Sequence, residues 1–185
     1  SGNHKIVAGR PLPEALLEEN PDEVHAGGAN LRKQLENMQI HGVTPVVAIN
    51  TFPDDKERDL QAIAEIAEEY GTRAARCTHF ADGGRGAATL AEAVQEAASE
   101  PSSFSPLYDD ALSLRDKITT VAQRVYGAKD VSFSVQANKQ LDSYEGNGFG
   151  HLPVCIAKTH LSISSDPKLL GAPTGWTLPV REVRA

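Results

Sequence analysis

The run VVAIN, residues 46–50, constrains the fold more than any other stretch, because it is the apolar end of a buried strand predicted over residues 43–50 that stops abruptly. The next residues, TFPDD, are rich in the turn formers Pro and Asp. A helix is predicted directly after them, from Asp55 to Tyr70, with Gly71 at its C-terminal end. A strand, a tight turn and a helix in this order favour a βα unit of a parallel sheet.

The rest of the chain repeats this alternation. Further helices are predicted at 31–38, 87–98, 112–126 and 135–145, and further strands at 73–78, 131–133, 153–157 and 176–183. Strands that alternate with helices pair in parallel through right-handed crossovers. The sequence therefore predicts an α/β fold with three layers, a mostly parallel sheet with helices on both faces. Residues 1–27 are predicted as an irregular lead-in, and residues 28–185 as a single α/β domain of a larger multidomain protein.

Charge and composition exclude several classes of partner. The 185 residues carry a formal net charge of −7, whereas nucleic acids and membrane surfaces attract basic patches. No apolar run approaches the roughly 20 residues of a membrane span. Cys77 and Cys155 lie far apart within short apolar runs, which predicts two free, buried thiols and a cytoplasmic protein.

Aromatic residues follow two of the predicted strands. Ligands of parallel sheets bind outside the carboxyl ends of the strands, and Phe52 and Phe80 each come two or three residues after such an end. Two rings beside one crevice could hold a flat heteroaromatic ligand between them. The alternative is that each ring packs against its own following helix, and position alone does not separate the two interpretations.

Two further features suggest contact with an anion. Gly83 and Gly84 lie in the loop DGGRG between a strand and a helix, where backbone amides can approach a phosphate, although a plain tight turn is also consistent. Lys158 follows the strand predicted at 153–157, and it could meet an anionic group or simply be a solvated strand end. No Gly-x-x-x-x-Gly-Lys-Ser/Thr sequence occurs in the chain.

The histidines and cysteines do not indicate a metal site. The six histidines are scattered without the spacing of metal ligands. Cys77-Thr78-His79 could suggest a nucleophile and base, but adjacent residues of a strand point to opposite faces. No metal ligand and no catalytic residue are therefore assigned.

Four blocks together resemble formate–tetrahydrofolate ligase, also called 10-formyltetrahydrofolate synthetase. They run in the family's order from about residue 27 to the end of the chain: GGANLRKQLENMQIHGVTPVVAINTFPDD, HFADGGRGAATLAEAV, LYDDALSLRDKITTVAQRVYGAKDVSFS and GFGHLPVCIAKTHLSISSDPKLLGAPTGWTLPVREVRA. The chain resembles the second domain of such an enzyme, separated from the rest.

The resemblance implies a parent enzyme that makes 10-formyltetrahydrofolate from formate, ATP with Mg²⁺, and tetrahydrofolate. It implies that Phe52 and Phe80 belong to the pocket that stacks on the folate ring system or a nucleotide base, with Asn50 and Pro53 shaping the same turn. The family more often has tryptophan at the position of Phe80. Its phosphate-gripping loop lies upstream of all four blocks, so the remaining N-terminal part of the enzyme is an expected partner, in a homo-oligomeric parent.

Two functions follow for the chain. The first is a substrate-positioning domain of the ligase, inactive by itself. The second is a non-catalytic α/β module that binds folate or a partner without turnover. An NTPase-like switch domain is disfavoured, because the chain has no phosphate-binding loop.

Overall fold

A computed structural model describes residues 9–158 and 162–185, and the chain divides into two compact units, Ser1–Phe104 and Ser105–Ala185. Each unit contains a pair of parallel strands packed against helices. The α/β class and the parallel pairing are therefore confirmed. The single domain over residues 28–185 stays a prediction, because a division into two compact units does not decide how many domains the chain forms.

The first unit contains one strand pair and five helices in its described part. The elements are α1 (Pro21–Gly27), α2 (Ala29–Gln39), β1 (Val46–Asn50), α3 (Glu57–Glu68), β2 (Arg73–Cys77), α4 (His79–Asp82) and α5 (Ala88–Ser99), with 3-10 turns at Glu14–Leu16 and Gly83–Ala87. Helix α1 falls within the lead-in predicted to be irregular. It begins at Pro21 because the Asn20 side chain accepts a hydrogen bond from the Glu23 amide at 3.1 Å and caps the first turn.

The core of the first unit lies between β1 and the helices α2 and α3. Val47 and Ile49 are buried against Leu35, Leu60 and Ala67, and Leu31 packs at the margin. The two intervening residues of β1, Ala48 and Asn50, are exposed. The strand therefore alternates between a buried and an exposed face in this unit, and the three-layer arrangement with both faces covered stays a prediction.

The second unit contains α6 (Leu114–Arg124), β3 (Asp130–Phe133), α7 (Val135–Gly146) and β4 (Thr177–Val180), with a 3-10 turn at Phe149–His151. Serine side chains cap both helices, since Ser113 accepts from the Asp116 amide and Ser134 from the Ala137 amide. Its core forms from the buried faces of α6, α7 and β4.

The strand predicted at Pro153–Ala157 was wrong, because this segment has no strand pairing. The prediction that both cysteines are buried was also wrong: Cys77 is buried, whereas Cys155 is exposed. Thr159 and His160, which follow Lys158 at the end of this predicted strand, lie outside the described residues. No helix within residues 9–158 and 162–185 is long and apolar enough to cross a membrane.

Candidate functional site

The carboxyl ends of β1 and β2 lie side by side. The parallel register pairs Val46 with Arg73 and Asn50 with Cys77. The contact continues one residue further, where the Thr51 amide donates a hydrogen bond to the Cys77 carbonyl at 2.9 Å. The sequences that follow the two strands therefore start from the same edge of the sheet.

Phe52 and Phe80 meet at this edge. Their ring centroids are 5.6 Å apart and the ring planes are tilted by 55°, a separation typical of an aromatic pair. Phe52 is 43% exposed and Phe80 is 76% exposed. Phe80 is therefore not a core residue, and the ring that lies against Phe52 is Phe80.

The observed pair is closed to a flat ligand between the rings. A ring inserted between two others needs about 7 Å between the outer centroids, twice the contact distance of ~3.5 Å. The observed 5.6 Å falls short of that, and the 55° tilt is far from parallel. Insertion therefore requires one ring to move outward and turn, and the exposed Phe80 has the space to do so.

Asp55 holds the turn that carries Phe52. Its Oδ2 accepts a hydrogen bond from the Phe52 amide at 2.7 Å, and its own amide donates to the Phe52 carbonyl at 3.1 Å. Asn50 and Pro53, the other residues predicted here, are both exposed. Sequence analysis identified the two Asp residues of this turn only as turn formers, and it did not predict that Asp55 is the one that bonds the Phe52 amide.

Thr78 organises the turn that carries Phe80. The Thr78 hydroxyl donates to Asp82 Oδ2 at 2.7 Å, and its carbonyl accepts from the amides of Ala81 and Asp82. The Thr78 amide donates to the Gly86 carbonyl at 2.9 Å. A Cβ placed on Gly86 would lie only 2.6–2.8 Å from Thr78 atoms. This close approach, which the sequence did not reveal, fixes the loop against the end of β2.

The glycines predicted to contact an anion lie in the open part of this loop. Gly83 has φ of +61°, and a Cβ at Gly83 or Gly84 would meet nothing within 4 Å. The Arg85 side chain is exposed in the same segment. The anion contact of Gly83 and Gly84 stays a prediction.

Cys77 and His79 are brought together, which sequence reasoning did not expect. The Cys77 Sγ lies 3.0 Å from the His79 Nδ1. The alternation rule separates only neighbouring residues, and Cys77 and His79 are two residues apart, so it does not exclude their contact. In the structure β2 ends at Cys77 and His79 begins α4. Within residues 9–158 and 162–185, no group of three or more His, Cys, Asp or Glu side chains is placed to hold a metal ion.

Lys158 lies in the second unit, where its ammonium is engaged locally. It donates to the Ser162 carbonyl and lies 5.5 Å from the centroid of the Tyr126 ring. Burial lowers the pKa of this ammonium below its ordinary value. A role in anion contact stays a prediction.

Two parallel strand pairs packed against helices place this chain in the α/β class, in which ligands bind at the carboxyl ends of strands. Residues 3–185 match the formate–tetrahydrofolate ligase family, and the chain belongs to that family.

The relatives it matches are much longer than the chain. A formate–tetrahydrofolate ligase of Saccharopolyspora erythraea is 61% identical over all 185 residues, and formate–tetrahydrofolate ligase 3 of Rubrobacter xylanophilus is 53% identical. The cytoplasmic C-1-tetrahydrofolate synthase of Mus musculus is 48% identical. The chain spans 33%, 34% and 20% of these proteins, respectively.

Proposed function

We propose that the chain is part of an ATP-dependent ligase that joins formate to tetrahydrofolate, and that its first unit contributes the stacking surface for the folate ring system or a nucleotide base. The exposed pair Phe52 and Phe80 at the carboxyl edge of β1 and β2 carries this proposal. Exposed rings bury apolar area and stack when a flat ligand covers them. Family membership supports the choice of ligand.

The ligand enters by opening the ring pair. Phe80 swings outward from its tilted contact, and the ligand then stacks against Phe52, whose backbone is fixed by Asp55. Asn50 and Pro53 shape the rim of the same turn. A moving Phe80 and a fixed Phe52 agree with the exposed fractions of the two rings, because moving Phe80 disturbs no buried packing.

Such a ligase needs phosphoryl transfer from ATP to formate, followed by attack of a folate amine on the mixed anhydride. Phosphoryl transfer relies on a lysine, backbone amides and Mg²⁺ around the phosphates. The chain contains no Gly-x-x-x-x-Gly-Lys-Ser/Thr sequence, so its role is to position substrate, and by itself it forms no 10-formyltetrahydrofolate. ATP, Mg²⁺ and the remaining polypeptide are the partners required for turnover, in a cytoplasmic, homo-oligomeric parent whose strands complete a three-layer sheet.

The test uses the full-length ligase that carries this sequence, with KM for tetrahydrofolate and melting temperature measured on the same variants. Phe52→Ala should weaken folate use by about 1–3 kcal/mol, the scale for removing a stacking ring and its buried area. Phe80→Trp should keep or improve the folate KM, because a larger ring covers more of the ligand.

Phe104→Ala is the matched control. Phe104 is also an exposed phenylalanine of the first unit, 62% exposed, but it stacks on His41 away from the strand ends. Its removal should leave the folate KM unchanged. A fall in melting temperature with an unchanged folate KM in Phe52→Ala would refute the stacking role.

A further inference from the structure

The second unit contains a groove of about 990 Å³ that the folate proposal leaves unexplained. Its walls come mainly from two stretches of chain, residues 152–158 and 178–185, with Leu114 and Ile118 of α6 also lining it. We call it the β4 groove. The ring pair lies in the other unit, so the groove is a separate feature.

One wall of the β4 groove has the burial pattern of a strand but no strand pairing among the described residues. Along 153–158, exposed residues alternate with the half-buried Val154, Ile156 and Lys158, which is the period of a strand. The Val154 amide donates to the Tyr108 hydroxyl at 2.9 Å. The amides of 155–157 make no backbone hydrogen bond to any residue that the structure describes.

The opposite wall includes β4, which is paired on one side. Its register joins Val131 to Leu178 and Phe133 to Val180, and the sheet has no third strand among the described residues. A two-stranded sheet is marginal by itself, and parallel sheets in particular occur as larger, covered arrays. A free strand edge is a template for another strand, and at Pro179 this edge supplies a carbonyl acceptor but no amide donor.

We propose that the β4 groove receives an extended segment of the ligase polypeptide from outside these 185 residues. The segment pairs as a β-strand with β4 on one side and with residues 153–158 on the other. The curated ligases are about three times longer than this chain, so they supply the chain length for such a segment. This inference rests on family membership and not on the folate proposal.

The lining defines the chemistry of the occupant. The walls are mixed, with apolar side chains at Val154, Ile156, Leu178 and Val180 and charged ones at Lys158, Arg181, Glu182 and Arg184. The segment should therefore alternate apolar residues, toward the apolar side chains, with polar ones. About five residues, roughly 17 Å of strand, match the length of the β4 wall. The same inference explains why the predicted strand at 153–157 is unpaired here, because a strand requires a partner for its ladder.

Cys155 provides a direct test, since it is exposed and lines the β4 groove. N-ethylmaleimide labelling is followed by mass spectrometry in this chain and in the full-length ligase. We expect Cys155 to label at least about 10-fold more slowly in the full-length protein. Gln136→Cys, on an exposed position of α7 outside the groove, should label at the same rate in both proteins.

Cys77 reports whether the separate chain is folded, because it is only 4% exposed. Rapid labelling of Cys77 in the separate chain would mean that this chain is not folded, and the comparison would then be made within the full-length protein only. There, Cys155 should label more slowly than the cysteine introduced by Gln136→Cys. Equal rates for these two thiols would overturn the proposal. Slow, concentration-dependent labelling of Cys155 in the folded separate chain would also overturn it, since the occupant would then be a second copy.

Amide exchange in the full-length ligase distinguishes a paired strand from simple coverage. Peptides covering 153–158 should exchange more slowly than in the separate chain, because a neighbouring strand on one side engages every second amide, such as those of Cys155 and Ala157. Fast exchange of these amides together with a protected Cys155 would mean that the groove is covered without strand pairing. That result would overturn the proposal that the segment pairs as a β-strand.

Discussion

The carboxylate of Asp55 accepts a hydrogen bond from the backbone amide of Phe52 at 2.7 Å, so the position of the exposed ring depends on a residue three places further along the chain. The return bond, from the Asp55 amide to the Phe52 carbonyl at 3.1 Å, closes the same turn. The ring is therefore presented by a fixed backbone, which reduces the entropy that a ligand must remove on binding.

Asp55→Ala should release this turn and weaken the stacking surface. In the full-length ligase we expect the folate KM to rise by about 5-fold, which corresponds to about 1 kcal/mol for one charge-assisted hydrogen bond near solvent. Asp55→Asn keeps an oxygen acceptor and should recover most of the loss. The readout is the folate KM beside kcat, because a positioning role changes the former more than the latter.

Asp54→Ala is the matched control for charge and location. Asp54 is the preceding aspartate and is also exposed, but no hydrogen bond or ion pair of Asp54 occurs among the described residues. An equal rise in folate KM for both alanine variants would show that negative charge, and not the turn, matters.

Gly86→Ala should destabilise the first unit. The added methyl would lie 2.6 Å from the Thr78 hydroxyl and 2.7–2.8 Å from its backbone carbonyl group, which is closer than packed atoms tolerate. Relief requires the loop to move away from the end of β2, at a cost of about 1–3 kcal/mol, the usual range for overpacking. Chemical denaturation of the chain measures the loss.

Gly84→Ala in the same loop is the control, since its methyl would meet nothing within 4 Å. It should change the free energy of unfolding by less than about 0.5 kcal/mol. Comparable losses for the two variants would indicate that loop flexibility, and not the contact with Thr78, determines stability here.

The features predicted correctly from the sequence are those that depend on local sequence patterns. The first strand and its following helix were found because an apolar run, a Pro-Asp turn and helical spacing agree over residues 46–70. The strand-end rule then predicted that the sequences after β1 and β2 share one edge, and the parallel register confirms it. Asp54 and Asp55 could not be ranked, because only the turn geometry decides which carboxylate reaches the amide.

Features that depend on contacts between residues far apart in the chain could not be predicted from the sequence. The segment 153–157 has the apolar character of a strand, but strand formation also requires a neighbouring edge. The sequence does not indicate that Lys117 is fully buried, because the carbonyls that its ammonium binds belong to Gly150 and Leu152, far along the chain. The contact of Gly86 with Thr78 is likewise set by how the loop folds back on the strand.

Acid should destabilise the first unit through three ion pairs. Hydrogen bonds from Arg76, Arg32 and Arg73 lower the pKa of the Glu57, Glu69 and Glu100 carboxyls, respectively. A lowered folded-state pKa means that the stabilisation is complete above the unfolded pKa and is lost as the pH falls through the folded pKa.

We therefore expect the melting temperature to fall as the pH drops below 4.5, the ordinary pKa of a glutamate, and added salt to reduce the effect because these groups are exposed. Glu57→Gln should make the fall shallower. Glu92→Gln, on the exposed surface of α5 with no ion pair among the described residues, controls for net charge. If Glu57→Gln leaves the dependence of melting temperature on pH unchanged, the ion pair between Glu57 and Arg76 is not a source of the acid destabilisation.

Lys117 should be a stability determinant of the second unit. Its buried ammonium donates to the Gly150 carbonyl at 2.8 Å and the Leu152 carbonyl at 3.2 Å, and it lies 5.8 Å from the Tyr108 ring centroid. Lys117→Met keeps most of the volume but leaves both carbonyls without this donor, so we expect a loss of about 2 kcal/mol in chemical denaturation. Lys139→Met, at an exposed position of α7, should change stability by less than about 0.5 kcal/mol. A Lys117→Met protein as stable as the original would mean that relief from burying a charge offsets the lost hydrogen bonds.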